Sequence, residues 1–131
     1  MNFEIDRIED AGTLDKERLV IRVMADTVTD FCVVLRARKG TFKDIPLGGP
    51  IPLAFWFPNT KVAKGDFIVL YTKYGDTSEK KNPSGRTSHF FYWRCAEPIW
   101  DSKHIPTILE VEAWDTSTTA EREEQPKTKA G

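Results

Sequence analysis

The sequence predicts an all-β fold, an antiparallel two-layer sandwich of about seven strands. Three observations carry this. Apolar residues recur with period two along most of the chain, turn residues separate those runs at short intervals, and no stretch holds a helical apolar stripe beyond a single turn near residues 15–18. Residues 3–8 form a short acidic candidate for an edge strand. In 18–26, Leu19, Ile21 and Val23 point one way and Val20, Arg22 and Met24 the other. In 30–38, Phe31, Val33, Leu35 and Ala37 share one face, and Cys32, Val34, Arg36 and Arg38 share the opposite one. Phe55 and Phe57 alternate with Ala54 and Trp56, and Phe67, Val69 and Tyr71 alternate with Ile68, Leu70 and Thr72. Segments 89–95 (HFFYWRC) and 107–114 (TILEVEAW) complete the set. Turns are expected at Ala11-Gly12, Gly48-Gly49-Pro50, Lys64-Gly65-Asp66, Gly75-Asp76 and across 82–85.

Two long connections stand out. Segment 39–52 is rich in Gly and Pro and carries Phe42, Ile45, Leu47 and Ile51, which are expected to pack down on the core. Segment 73–88 is polar and carries Lys73, Lys80, Lys81 and Arg86. Residues 1–115 are read as one domain, and 116–131, almost without apolar side chains, as a disordered tail.

At 131 residues, with 40% hydrophobic and 30% charged side chains, the composition excludes collagen-like and coiled-coil chains. The net charge is −1, so no global field draws the protein to nucleic acid or to an anionic membrane. The charge is unevenly spread: residues 60–95 carry seven basic and three acidic side chains. Cys32 and Cys95 lie in separate apolar runs without metal-ligand spacing and read as free thiols, with one cross-strand disulfide as the alternative. The first residues lack the pattern of a secretory signal, and no apolar run approaches the length of a membrane-spanning helix. A cytoplasmic location and no membrane partner are the expectation.

Chemistry is sparse. His104 with Asp101 and Ser102 lies too close in sequence for the convergent geometry of a triad, and His89 opens an apolar strand. Nucleophile-elbow, zincin, phosphate-loop and dinucleotide-binding motifs are all missing. Asp26, Asp30 and Asp115 read as turn carboxylates capping amides rather than as a calcium site. The reading favours a non-enzyme with no metal and no cofactor, with a small hydrolase using His89 or His104 as the alternative.

The most unusual feature is the consecutive run Phe90, Phe91, Tyr92 and Trp93, which makes both faces of one strand aromatic. Either the loop carrying Phe42 and Leu47 covers the second face, or the face meets a partner. The expected working surface is therefore Lys80, Lys81, Arg86, His89, Tyr92 and Trp93, facing a protein partner or a second copy. The alternative is nucleic acid, with Trp56, Trp93 and Trp100 stacking on bases and Arg36, Arg38, Lys80, Lys81 and Arg86 near phosphates.

The run 17–114, with ERLVIRV, then FWFP, then KGDFIVLY, resembles the lamin-tail-like domain, an immunoglobulin-type β-sandwich. The chain departs from that pattern in lacking a Leu-x-Gly-Trp-x-Leu strand, and from antibody-type domains in lacking a Trp soon after Cys32. The resemblance implies a non-catalytic interaction module that binds proteins, DNA or membrane-associated partners. It carries over no catalytic residue.

Overall fold

The alternation of Leu19, Ile21 and Val23 with more polar neighbours needs a sheet with one buried face, and the chain builds it. The structure, a computed structural model, describes residues 1–40, 45–50 and 53–117. Among these it is all-β, with ten strands and no helix: β1 (Phe3–Glu9), β2 (Arg18–Val23), β3 (Thr27–Val28), β4 (Cys32–Arg38), β5 (Ala54–Trp56), β6 (Lys61–Val62), β7 (Phe67–Tyr71), β8 (Ser78–Lys81), β9 (Thr87–Tyr92) and β10 (His104–Glu110). They form a five-stranded sheet in the order β1-β2-β7-β9-β8, a three-stranded sheet β10-β4-β5 and a small β3-β6 ladder. The two larger sheets share one core, an arrangement consistent with a β-sandwich.

The expectation of purely antiparallel pairing fails at one ladder. β7 and β9 run parallel, with Phe67 opposite Ser88 and Tyr71 opposite Tyr92. The reason is the β8–β9 hairpin, closed by the Asn82 and Gly85 hydrogen bonds of its turn. The chain leaves β7, runs to the sheet edge as β8, and returns as β9 in the direction of β7. Ser78–Lys81 offers no apolar alternation, so β8 is invisible to a periodicity reading and exists because β9 supplies its ladder partners.

Leu19, Ile21, Ile68, Leu70 and Phe91 face Cys32, Val34 and Phe57 across the core. Edge-to-face contacts run through this core, with ring centroids 4.9 Å apart for Phe55–Phe57 within one layer and 5.0 Å apart for Phe57–Phe91 between the two. Cys32 and Cys95 are both free, and burial pushes the Cys32 thiol up to about 12, with the Glu110 charge adding to it.

One carboxylate lies wholly inside. Glu17 is 0% exposed. Its Oε1 accepts from the amides of Gly12 (2.8 Å) and Trp100 (3.3 Å). Its Oε2 accepts from the Thr72 hydroxyl (2.5 Å) and the Ile99 amide (2.9 Å). The single turn expected near residues 15–18 therefore ends in a side chain that ties the β1–β2 connection to the end of β7 and to the segment before β10.

The expected packing of the 39–52 loop does not occur at the residues described. Ile45 and Leu47 are exposed, while Phe42 and Ile51 lie outside the described residues. The loop folds back along the end of β4 instead, where the Leu47 amide donates to the Arg38 carbonyl at 3.0 Å. The expected tail falls almost wholly outside the described residues.

Candidate functional site

The predicted residues do not converge on one surface. Cross-strand partners share a face, so the β8–β9 register separates the two lysines. Lys80 lies opposite Ser88, on the outer side with Phe90 and Tyr92, whereas Lys81 lies opposite Thr87, on the side of His89. Trp93 turns away from both and packs against Phe55 at 5.7 Å and Trp100 at 6.1 Å. Trp100 is itself buried and Trp56 belongs to the other sheet, so the expected platform of three tryptophans does not form. Arg86 donates to the Lys64 carbonyl at 3.0 Å, and its guanidinium lies over Gly65, whose φ of +92° suits a residue without Cβ.

His89 is buried in a hydrogen bond between its Nε2 and Asp66 Oδ2 at 2.9 Å. Asp66 also accepts from the amides of Ala63 (3.0 Å) and Thr87 (3.1 Å). Burial opposes ionisation of Asp66, but these bonds outweigh it and hold the carboxyl below its ordinary range. The pair lines an open cleft of about 600 Å³, with Asp26, Lys61 and Glu79 among its other walls. With every Asp66 oxygen engaged by the turn before β7 or the start of β9, the pair acts as a strut. Asp26 likewise caps the Lys64 amide at 2.8 Å. His104 and Asp101 do meet, at 2.8 Å, but no hydrogen bond joins Ser102 to His104 among the described residues. No group of three or more His, Cys, Asp or Glu suited to a metal occurs among the described residues. Among the described residues there is also no helix long and apolar enough to cross a membrane.

Two sheet faces remain. The outer face of the five-stranded sheet grades from charge to aromatic. On β1 and β2, Arg18 pairs with Glu9 and with Asp10 (2.9 Å), and Arg22 pairs with Asp6 (2.8 Å). On β7 and β9, Tyr71 and Tyr92 stack at 5.4 Å with 10° between planes, Phe90 lies 6.4 Å from Tyr71, and Lys73 sits 4.9 Å over the Tyr71 ring. On the second face of the aromatic strand, Phe90 and Tyr92 thus pack against side chains of their own sheet; Phe42, the expected cover, lies outside the described residues.

The outer face of β10-β4-β5 is of a different kind. The register Leu109–Val33–Trp56 and Thr107–Leu35–Ala54 sets six residues side by side, continued by Phe31, Val111 and Ile105. None of these is charged. The charges of the two long strands turn the other way: Arg36 donates to the Ile99 carbonyl at 2.5 Å, and Glu110 accepts from the amides of Asn2 (2.5 Å) and Phe3 (3.1 Å). The usual polarity of a sandwich sheet, apolar within and charged without, is reversed at these positions. Phe31 is 44% exposed, Trp56 50%, Leu109 44% and Trp114 57%, and Trp114 packs edge-to-face on Trp56 at 5.5 Å. These aromatics and Asp30 line a groove of about 430 Å³. Sequence reading missed this surface because alternation identifies two faces without saying which one is covered. The available signal was that strand 30–38 is apolar along the whole of one face, Phe31 to Ala37, and also at Cys32 and Val34 on the other.

Compared with models of known protein families, with characterised proteins and with solved structures, the chain matches none.

Proposed function

We propose that this protein is a non-catalytic interaction module, and that its contact surface is the uncharged outer face of β10-β4-β5 rather than the 73–88 loop. The observation that supports this is the reversed polarity just described. A sheet that turns Arg36 and Glu110 inward and leaves Trp56, Leu109 and Phe31 in water has an apolar face whose burial is favourable. In this reading the layered sheets follow the immunoglobulin-type, lamin-tail-like plan that the sequence resembles. That plan supplies a rigid platform and no reaction.

A photoreactive benzophenone side chain at position 109, and separately at position 80 as the control on the opposite sheet, tests the reading in an extract of cells that make the protein. Adducts from position 109 and not from position 80 are expected. Adducts confined to position 80 would transfer the function to the other sheet, and none from either position would retire the module reading.

A second reading has one observation behind it. Lys80 and Lys73 flank Phe90, Tyr71 and Tyr92 on an open sheet face, a pattern suited to single-stranded nucleic acid. It is the weaker of the two, because the neighbouring Arg18 and Arg22 are already paired with Glu9, Asp10 and Asp6.

A further inference from the structure

Resting on the module reading, we infer that the occupant of the uncharged face is a second copy of this chain, packed face to face about a two-fold axis that runs along β4. Three features point to a copy. The first is charge. A partner selected by ion pairs needs charges to meet, and a two-fold contact suffers wherever a charge meets its own image. The rows Leu109–Val33–Trp56 and Thr107–Leu35–Ala54 hold none, so they are compatible with their own images, and Asp30 is the one charge in the lining of the adjoining groove.

The second is hydrogen bonding. The indole of Trp56 donates to the Asp30 carbonyl at 2.5 Å, so its one polar hydrogen is satisfied within the chain. The face can therefore be dried without stranding that donor.

The third is size and shape. The four large side chains, each about half exposed, present roughly 400 Å² of apolar surface. With the half-buried Val33, Leu35, Ile105 and Val111 the face reaches about 600 Å², the lower end of what one partner gives to a specific interface. With the axis along the middle strand, the outer strands exchange places. Trp56 of one copy stands against Leu109 of the other and Leu109 against Trp56, while Val33 meets its own image. A bulky ring thus meets a smaller aliphatic side chain twice. An interface of this size is reversible, so the dimer forms with concentration.

Sedimentation velocity of the full chain, run from about 1 to about 300 µM, decides the matter. The wild type is expected to move from the monomer mass toward twice that mass. Leu109→Lys should weaken association by about 100-fold or more, because the symmetry buries the new charge at two places. Lys80→Glu on the opposite sheet should dimerise as the wild type does. Should Leu109→Lys lose its cooperative thermal transition, Trp114→Glu, outside every strand, carries the same test. A wild type that stays monomeric throughout the range overturns the inference, as does a dimer that survives both substitutions. Failure here and failure of the module reading are told apart by the cross-linking at position 109. Adducts to other proteins from a monomeric chain sink the second copy and keep the module, whereas no adducts sink both.

Discussion

Replacing Glu17 by alanine should remove a large part of the stability of this protein. The side chain is wholly buried and accepts four hydrogen bonds, from three main-chain amides and one hydroxyl, contributed by segments far apart in the sequence. Alanine leaves those donors without an acceptor, at about 1–3 kcal/mol each. It also removes a carboxylate whose own burial costs several kcal/mol, which offsets part of the loss. The net expectation is a destabilisation of about 3–5 kcal/mol, against a typical total of about 5–15. For a domain of this size the thermal midpoint should fall by about 10–20 °C. Glu17→Gln keeps the volume and one acceptor but turns an N–H group toward donors, so its loss should be smaller, about 2–3 kcal/mol. Urea unfolding followed by far-ultraviolet circular dichroism measures both variants. A loss below about 1 kcal/mol for the alanine variant would refute the view that Glu17 organises these amides. Equal losses for the two variants would refute the ordering by acceptor count.

Three further outcomes are expected. The depressed Asp66 carboxyl contributes stability that is complete above the ordinary carboxyl range and is lost as the pH falls through the folded value, below about pH 4. Asp66→Asn should therefore start less stable at neutral pH and decline less on acidification, as midpoints recorded from pH 7 to pH 2 would reveal. Gly75→Ala would set a Cβ only 2.3 Å from Cε1 of Tyr92, displacing the ring from its stack on Tyr71. A loss of about 1–3 kcal/mol with a changed near-ultraviolet tyrosine signal is expected, and an unchanged signal would contradict it. Lys80→Glu combined with Lys81→Glu should move the thermal midpoint by less than about 2 °C, since both side chains are exposed on an edge strand. Anisotropy of a labelled oligonucleotide should not distinguish this variant from the wild type, whereas wild-type binding that falls steeply with salt and is lost in the variant would favour the nucleic-acid reading.

Much of the fold was legible because period-two alternation is a direct imprint of a half-buried strand. The expected run 67–72 exceeds β7 by one residue, β2 begins at the expected residue 18 and β4 ends at the expected residue 38. What alternation cannot encode is contact between strands. Ser78–Lys81 contains no apolar residue, so nothing in its composition announces β8, and the two-residue β3 and β6 are too short to show a period. The last strand runs over His104–Glu110, earlier than the expected 107–114, because His104, Ile105 and Pro106 are held by pairing with Arg38, Ala37 and Arg36. The site was less legible still. A buried Glu17 and an exposed Trp56 invert the usual preferences of their side chains, and each is decided by partners distant in sequence. The six residues expected to form one surface are neighbours in sequence, but successive strand residues point to opposite faces. Adjacency along β8 and β9 therefore separates them in space.

The pairing of β4 with β10 has a consequence for synthesis on the ribosome. Leu35 finds its ladder partner Thr107 about seventy residues later in the chain. At roughly 5–20 residues per second, the intervening chain takes about 4–14 seconds to appear. During that interval β4, with the run Val33-Val34-Leu35 at its centre, has an open edge and only the three-residue β5 to cover the other. An exposed apolar edge is a template for pairing with any extended chain nearby, and neighbouring ribosomes on one message hold identical copies. Slowing translation between residues 38 and 104 should therefore lower the yield of properly folded protein even though the finished molecule is unchanged.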